Sequence, residues 1–281
     1  MESSFIPYTP TTSLPTGNVL ILAPHADDEV FGCAGAIMQH LAQGNSVSVI
    51  IITDGRAAIS HPDKQSMLHY IETRQQESDK AAKILGYENL EFWEIVDRTL
   101  EHCEDFIQRL VNVFKVKAIT QVYAPSVMEI HPDHYALAMS AVEAVRRCGE
   151  TVSLAMYEIG VPLHPNILLD ITAFFKRKQE AIACFVSQLS LQDYSQKLLC
   201  LNSYRTYSLP EHVIAAEAYY VLNGAELHAE PLLMFGQTRQ TTVLQETNKK
   251  LTIAQQELSL VYNSRSWFLT SLLRRLLRRI H

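Results

Sequence analysis

Apolar residues first gather into an unbroken run at Asn18 to Ala23 (NVLILA), rich in branched side chains and ended by Pro24, which predicts a buried strand. Phe31 to Ala42 then places apolar residues at helical intervals up to Gly44, and Ser46 to Thr53 (SVSVIIIT) predicts a second buried strand, completing a β-α-β unit. The alternation continues. Met67 to Leu85 predicts an amphipathic helix stopped by Gly86, Leu90 to Trp93 a short strand, and Glu104 to Phe114 a helix. A fourth strand is expected over Ala118 to Ala124, a helix over Tyr135 to Arg147, and a fifth strand over Val152 to Tyr157. Beyond these the pattern loosens into a strand-like NILLDI from Asn166, a helix near Thr172 to Val186, an unassigned stretch, and a last β-like run at Ala218 to Leu222.

Strands and helices in alternation predict an α/β, Rossmann-like three-layer fold with a mostly parallel sheet, and right-handed crossovers favour the order 3-2-1-4-5. In such open sheets the ligand crevice lies at the carboxyl ends of the strands where the order reverses. Here that means after Ala23 and after Ala124.

Length and composition fit a globular domain with an appendage: 281 residues, 47% of them apolar. We divide the chain into an N-terminal arm (1–17), a main domain (18–240) and a helical tail (241–281). Met1 to Gly17 is rich in Ser, Thr and Pro and lacks the basic start and apolar run of a signal peptide, and no stretch is apolar enough to span a membrane. A cytoplasmic protein, peripheral at most at the inner face of a membrane, is therefore expected. The five scattered cysteines are expected to be reduced and mostly buried.

The net charge of -6 conceals an asymmetry, because five arginines and no acid lie from Arg265 onward, leaving 19 basic against 30 acidic side chains, about -11, in the rest. Leu244, Leu251 and Leu258 recur at seven-residue spacing, which suggests a short coiled coil and homo-oligomerisation, or a packing arm. Arg274, Arg275, Arg278 and Arg279 with interleaved leucines fit a basic amphipathic helix for an anionic membrane surface. No nucleic-acid partner is expected, since the acidic body repels phosphates.

Both predicted strand ends carry chemistry: Pro24-His25-Ala26-Asp27-Asp28-Glu29 after the first, and His131-Pro132-Asp133-His134 after the fourth. Imidazole and carboxylate suit zinc, and a hydrolytic zinc site uses three protein ligands with one position open. His25 and Asp28 can converge on one ion from a tight turn, while Asp27 projects differently and becomes the candidate general base. Zinc lowers the pKa of the water it binds to about 7, within reach of such a base. One histidine of the second cluster, His131 or His134, is then spare for the developing oxyanion. The alternative, that Asp27, Asp28 and Asp133 merely cap helices, leaves the pairing of histidine with carboxylate at two adjacent strand ends unexplained. The isolated His40, His61, His69, His102, His164 and His212 are read as structural.

The two elements resemble the signature of the PIG-L/LmbE-like zinc N-acetylglucosaminyl deacetylases, His-Pro-Asp-Asp-Glu followed by His-Pro-Asp-His, with Ala26 in place of the usual proline. Similarities at Thr53-Asp54-Gly55, Arg74 to Glu77, Asp97, Lys178, Ser187-Gln188 and Ala216-Glu217 extend it over residues 18 to 222. The resemblance implies that His25, Asp28 and His134 hold zinc, that Asp27 is the base and that His131 stabilises the transition state. It also implies that Arg74 and Asp97 contact the sugar or order the pocket, and Asp133 supports the ligands from behind. A salt bridge between Arg74 and Asp97 is the structural alternative. The implied reaction is hydrolysis of the acetamide of an N-acetylated sugar or glycoconjugate. Rival readings are a deacylase of a non-sugar metabolite or antibiotic intermediate, and a non-catalytic glycan-binding assembly factor. The end of the chain, Ser264 to Arg274, resembles a tail of bacterial polysaccharide-assembly proteins, with Phe268 and Leu272 departing from its pattern.

Overall fold

The computed structural model describes residues 9–59, 63–229 and 250–259. Its body is a seven-stranded sheet of order β3-β2-β1-β4-β5-β7-β6. The strands are β1 (Asn18–Ala23), β2 (Ser46–Thr53), β3 (Asn89–Ile95), β4 (Gln121–Pro125), β5 (Ser153–Tyr157), β6 (Ile167–Asp170) and β7 (Ala216–Asn223). The first five are parallel in the expected order 3-2-1-4-5, with Val19 paired to Val47 on one side and Gln121 on the other. β7 then runs antiparallel between β5 and β6.

The helices are α1 (Asp28–Ala42), α2 (Lys64–Leu85), α3 (Glu104–Val116), α4 (Pro132–Cys148), α5 (Phe175–Ile182), α6 (Val186–Leu189), α7 (Tyr194–Tyr204) and α8 (Gly224–Ala229). Alternation along the central strands makes the layers. Val19, Ile21, Ala23, Val47, Val49 and Ile51 bury against Val30, Cys33, Ala34 and Ile37 of α1, while Leu20, Leu22, Ile50 and Ile52 are buried on the opposite face. A strand buried on both faces reads as a continuous apolar run, as β1 and β2 do.

α1 lies close to the sheet because it presents glycines: a Cβ on Gly32 would sit 2.3 Å from the Tyr157 ring, and one on Gly35 would sit 2.2 Å from Ile171. The helix is also tied down by a buried ion pair. Glu217 accepts from the N–H groups of Gly35 (2.8 Å) and Ala36 (2.9 Å), and Lys178 Nζ donates to Glu217 (2.8 Å) and to the Phe31 carbonyl (2.9 Å). Lys178 and Glu217 are 0% and 1% exposed, so each charge depends on the other.

Several expected boundaries move. α1 and α4 begin three residues earlier than their periodicity suggests, at Asp28 and Pro132, because His131 caps α4 and proline suits a first helical position. β4 begins at Gln121, since Ala118, at φ 48°, belongs to the turn that ends α3. The single helix expected over Thr172 to Val186 is a 3-10 turn followed by α5 and α6, and the unassigned stretch contains α7. Of the cysteines only Cys33 is buried; all five are unpaired, and Cys103 and Cys200 are exposed. The arm is part of the body from Thr11 onward, where Thr11 bridges Leu169 of β6 and Leu14 is buried.

Residues 250–259 are helical and exposed throughout, Leu251 and Leu258 included. Leu244 and Ser264 to His281 lie outside the described residues. Among the described residues no helix is long and apolar enough to cross a membrane.

Candidate active site

The two motif loops meet because β1 and β4 are neighbours and both end at the same edge of the sheet. Thr53, at the end of β2, fixes the first loop by donating from its backbone N–H (2.9 Å) and hydroxyl (2.8 Å) to the Pro24 carbonyl. Asp27 follows in a strained conformation (φ 134°, ψ -31°), held by its N–H donating to Glu29 Oε2 at 2.9 Å. The Glu29 carboxyl is completely buried, and that burial pushes its pKa up to about 8.

Three side-chain atoms then form a nearly equilateral triangle. His25 Nδ1 lies 3.2 Å from Asp28 Oδ2 and 3.2 Å from His134 Nε2, and Asp28 Oδ2 lies 3.2 Å from His134 Nε2. Tetrahedral ligands about 2.0–2.1 Å from zinc stand about 3.3 Å apart, so the donor set fits such an ion. Wider groupings that include His131, or Asp97 and Asp133, also lie within 4.8 Å. Their atoms are committed elsewhere: His131 Nδ1 accepts from Asp133 N (3.3 Å), and Asp133 Oδ2 contacts His25 Nε2 (3.2 Å) and accepts from Arg98 N (2.8 Å).

Around the triangle the charge is heavily negative. Burial opposes a charge on His25, yet Asp133, Asp28 and Asp97 hold its pKa well above the ordinary value. Burial likewise opposes the charge on His134, while Asp28 and Glu129 raise its pKa to about 9. Burial acts to raise the Asp28 pKa, but His134 and His25 hold it well below the usual carboxylate range. Protons thus gather where the surrounding carboxylates favour a cation.

Asp27 is pushed up to about 7, chiefly by burial, with Arg74 working against the rise and Asp28 adding to it. Arg74 pairs with Asp27 Oδ2 (3.2 Å) and donates to the Ala26 carbonyl. A dication in the triangle would lower the Asp27 pKa again. His131 is held down to about 4 by burial and by the neighbouring His25 and His134, so it is neutral. With Nδ1 accepting, its Nε2–H remains as a donor.

Asp97 turns toward His25 (Oδ1 to Nε2 3.4 Å) and accepts from Ala57 N (3.0 Å), while Asp54 accepts from Asp97 N (3.2 Å). The structural alternative of a salt bridge between Arg74 and Asp97 is not what forms: Arg74 pairs with Asp27, and Asp97 faces His25. Glu129 and Arg98 escaped the sequence reading. Glu129 accepts from the N–H groups of Ile159 (2.8 Å), Gly160 (3.0 Å) and Val161 (3.2 Å) and brings Oε2 to 3.6 Å from His134 Nδ1. A carboxylate five positions before His134, in the same strand-end loop, was the available signal.

A cavity of about 400 Å³ opens above the triangle, lined by His25, Asp27, Asp28, His131 and His134, with Arg74, Asp97 and Arg98 beside them. Phe31, Ile159, Leu191 and Tyr194 form apolar walls.

Residues 20–145, which hold both motif loops and the whole triangle, match the PIG-L family, described as GlcNAc-PI de-N-acetylase. The chain carries a PIG-L domain. Its relatives include a 4-oxalmesaconate hydratase of Pseudomonas putida, 25% identical over 64% of this chain and 77% of the relative. A probable N-acetyl-alpha-D-glucosaminyl L-malate deacetylase 2 of Bacillus anthracis is 24% identical over 62% of this chain and 82% of the relative. The fold of the chain also matches that of the N,N'-diacetylchitobiose deacetylase of Pyrococcus horikoshii, with a TM-score of 0.66 and 22% identity over 76% of this chain and 86% of that one.

Proposed function

We propose that this protein is a zinc-dependent N-deacetylase that hydrolyses the acetamide of an N-acetylated, glucosamine-type sugar. The observation that carries the reading is the paired arrangement of a three-atom triangle of His25, Asp28 and His134 with a buried, base-like Asp27 at the floor of one cavity. The Bacillus relative and the Pyrococcus structure, both named as deacetylases, support it.

His25, Asp28 and His134 are the residues to hold the ion. Zinc supplies a Lewis acid there, polarising an acyl oxygen and acidifying water. Asp27 takes the proton of the attacking water, and Arg74 keeps its carboxylate aimed into the cavity. His131 donates from Nε2–H to the oxygen that gains charge as the carbonyl carbon becomes tetrahedral. The C–N bond then breaks, the amine nitrogen takes a proton from Asp27 or His131, and acetate and a free amino sugar leave. Asp97 and Asp133 fix the His25 ring, as partners behind a metal-ligating imidazole do. Asp97 is thus a positioning residue in this proposal and touches no sugar.

The first-named relative favours a second reading, addition of water to an unsaturated carboxylic acid by the same site. A zinc assay combined with acetate release from a panel of N-acetyl sugars, acylated non-sugar amides and unsaturated acids separates the two. Release from an N-acetyl sugar is expected; metal without release from any acylated substrate contradicts the deacetylase reading.

We further propose a cytoplasmic place in surface-glycan assembly. The resemblance of Ser264 to Arg274 to polysaccharide-assembly tails and the basic end of the chain support it, with residues 18–240 as the catalytic domain and 241–281 as a tail for membrane or self-association.

A further inference from the structure

Arg98 stands at the rim of the cavity with an unanswered charge. It is exposed and lines the pocket, and among the described residues its side chain has no acid, carbonyl or ring partner. The other described arginines each hold a carboxylate or a carbonyl, or in the case of Arg109 lie over the Trp93 ring.

Its backbone is left-handed, at φ 68°, a conformation that glycine adopts freely and a residue with a Cβ adopts at a cost. Glu94 and Ala118 share that conformation away from the pocket, so the strain alone assigns nothing. The lock on Arg98 is more specific. Its N–H donates to Asp133 Oδ2 at 2.8 Å, and the same oxygen lies 3.2 Å from His25 Nε2. One carboxylate therefore fixes both the Arg98 turn and a corner of the triangle, and Arg98 lines the same cavity as the triangle.

The electrostatic setting narrows what Arg98 can meet. Asp27, Asp28 and Glu129 also line the cavity, and its other arginine, Arg74, is 3% exposed and paired with Asp27. An anionic group on a ligand is repelled over most of this surface and welcomed at Arg98, whose planar fork suits phosphate or carboxylate.

We propose that Arg98 receives an oxyanion, phosphate or carboxylate, carried by a substituent on a carbon next to the one that bears the amide, so that the substrate is an anionic N-acyl amino sugar. This rests on the deacetylase reading. Phosphate and carboxylate share the chemistry, and the test distinguishes them.

The zinc-loaded Asp27→Asn protein, in which turnover is strongly slowed, is titrated calorimetrically with three ligands: the methyl glycoside of N-acetylglucosamine, N-acetylglucosamine 1-phosphate, and the methyl glycoside of N-acetylmuramic acid. The titrations are repeated with Arg98→Gly and Arg98→Lys added. One anionic sugar is expected to bind at least about tenfold tighter than the neutral one, as a charge-assisted pair provides. Tighter phosphate binding assigns the phosphate, and tighter muramate binding assigns the carboxylate. Arg98→Gly is expected to erase the preference and Arg98→Lys to keep part of it. Glycine suits the backbone at this position, so the melting temperature of Arg98→Gly should equal or exceed that of its parent. Equal binding of all three sugars, no binding of any, or a preference that survives Arg98→Gly overturns the proposal. Acetate release from the same sugars by the Asp27 enzyme is measured separately; its failure strikes the deacetylase reading and leaves the binding result standing.

Discussion

Glu129 Oε2 stands 3.6 Å from His134 Nδ1, just beyond hydrogen-bond range, and that nitrogen is buried without another partner. Three backbone N–H groups of the loop after β5 fix the carboxylate in place. Bringing His134 onto an ion would draw the two together and set the imidazole tautomer. Glu129→Gln is expected to weaken zinc binding about 10- to 100-fold in competition with a chelator, while the melting temperature of the chelated protein stays near wild type. An unchanged zinc affinity, or an equal loss of stability without metal, would remove the positioning role.

Lys178 and Glu217 make a second prediction, about stability. Lys178→Met leaves a buried carboxylate without its counter-charge and strips a donor from the Phe31 carbonyl. Such single breaks cost about 3–5 kcal/mol, and removing both charges together costs less than the sum. Denaturant unfolding of Lys178→Met, Glu217→Gln and the double variant reads this directly. A single-variant loss under about 1 kcal/mol would contradict it.

His40 links stability to pH. Asn45 Oδ1 accepts from Gly17 N, so its amide must donate to His40 Nδ1 (2.8 Å), and His40 Nε2–H is left to donate to the Tyr123 hydroxyl (2.9 Å). The bond from Asn45 needs the lone pair on Nδ1 and is lost when the ring is protonated, whereas Nε2–H can donate in either state; burial lowers the His40 pKa to about 4. The unfolded chain takes up this proton first, near pH 6.5, so stability is full above that and falls as pH drops toward 4. The wild-type loss should exceed that of His40→Asn by up to roughly 3 kcal/mol over this interval. Parallel curves for the two proteins would contradict the assignment.

Much of this was legible because buried parallel strands are written as continuous apolar runs: NVLILA and SVSVIIIT give β1 and β2 with their observed ends. Once β1 and β4 are neighbours, His25, Asp28 and His134 must share an edge, so two short motifs located the cluster at the cavity. Strand direction is not written in such a pattern, which is why the insertion of antiparallel β7 between β5 and β6 went unread. Periodicity also misses helix starts made of polar residues, the turns at Asp28 and Pro132 that hold the chemistry. Glu129 and Arg98 act through backbone contacts fixed only on folding, which the sequence marks at most by a carboxylate in the loop before His134.

The tail yields a prediction about location. If Arg265 to His281 meets an anionic membrane, the full chain should bind phosphatidylserine-containing vesicles at least about tenfold better than a chain ending at Ser264, with each basic residue near the surface contributing about 1 kcal/mol. Neutral vesicles should show no such difference. Equal sedimentation of both proteins with the anionic vesicles would remove the membrane role.

The central claim, a zinc hydrolase using Asp27 as its base, is tested most directly by measuring zinc content and acetate release side by side in the wild type and Asp27→Asn. The account predicts about one zinc per chain in both, acetate release from an N-acetyl amino sugar by the wild type, and a rate loss of about 10²–10⁴-fold in the variant. Zinc-free wild-type protein, or an Asp27→Asn protein that releases acetate at the wild-type rate, would contradict it.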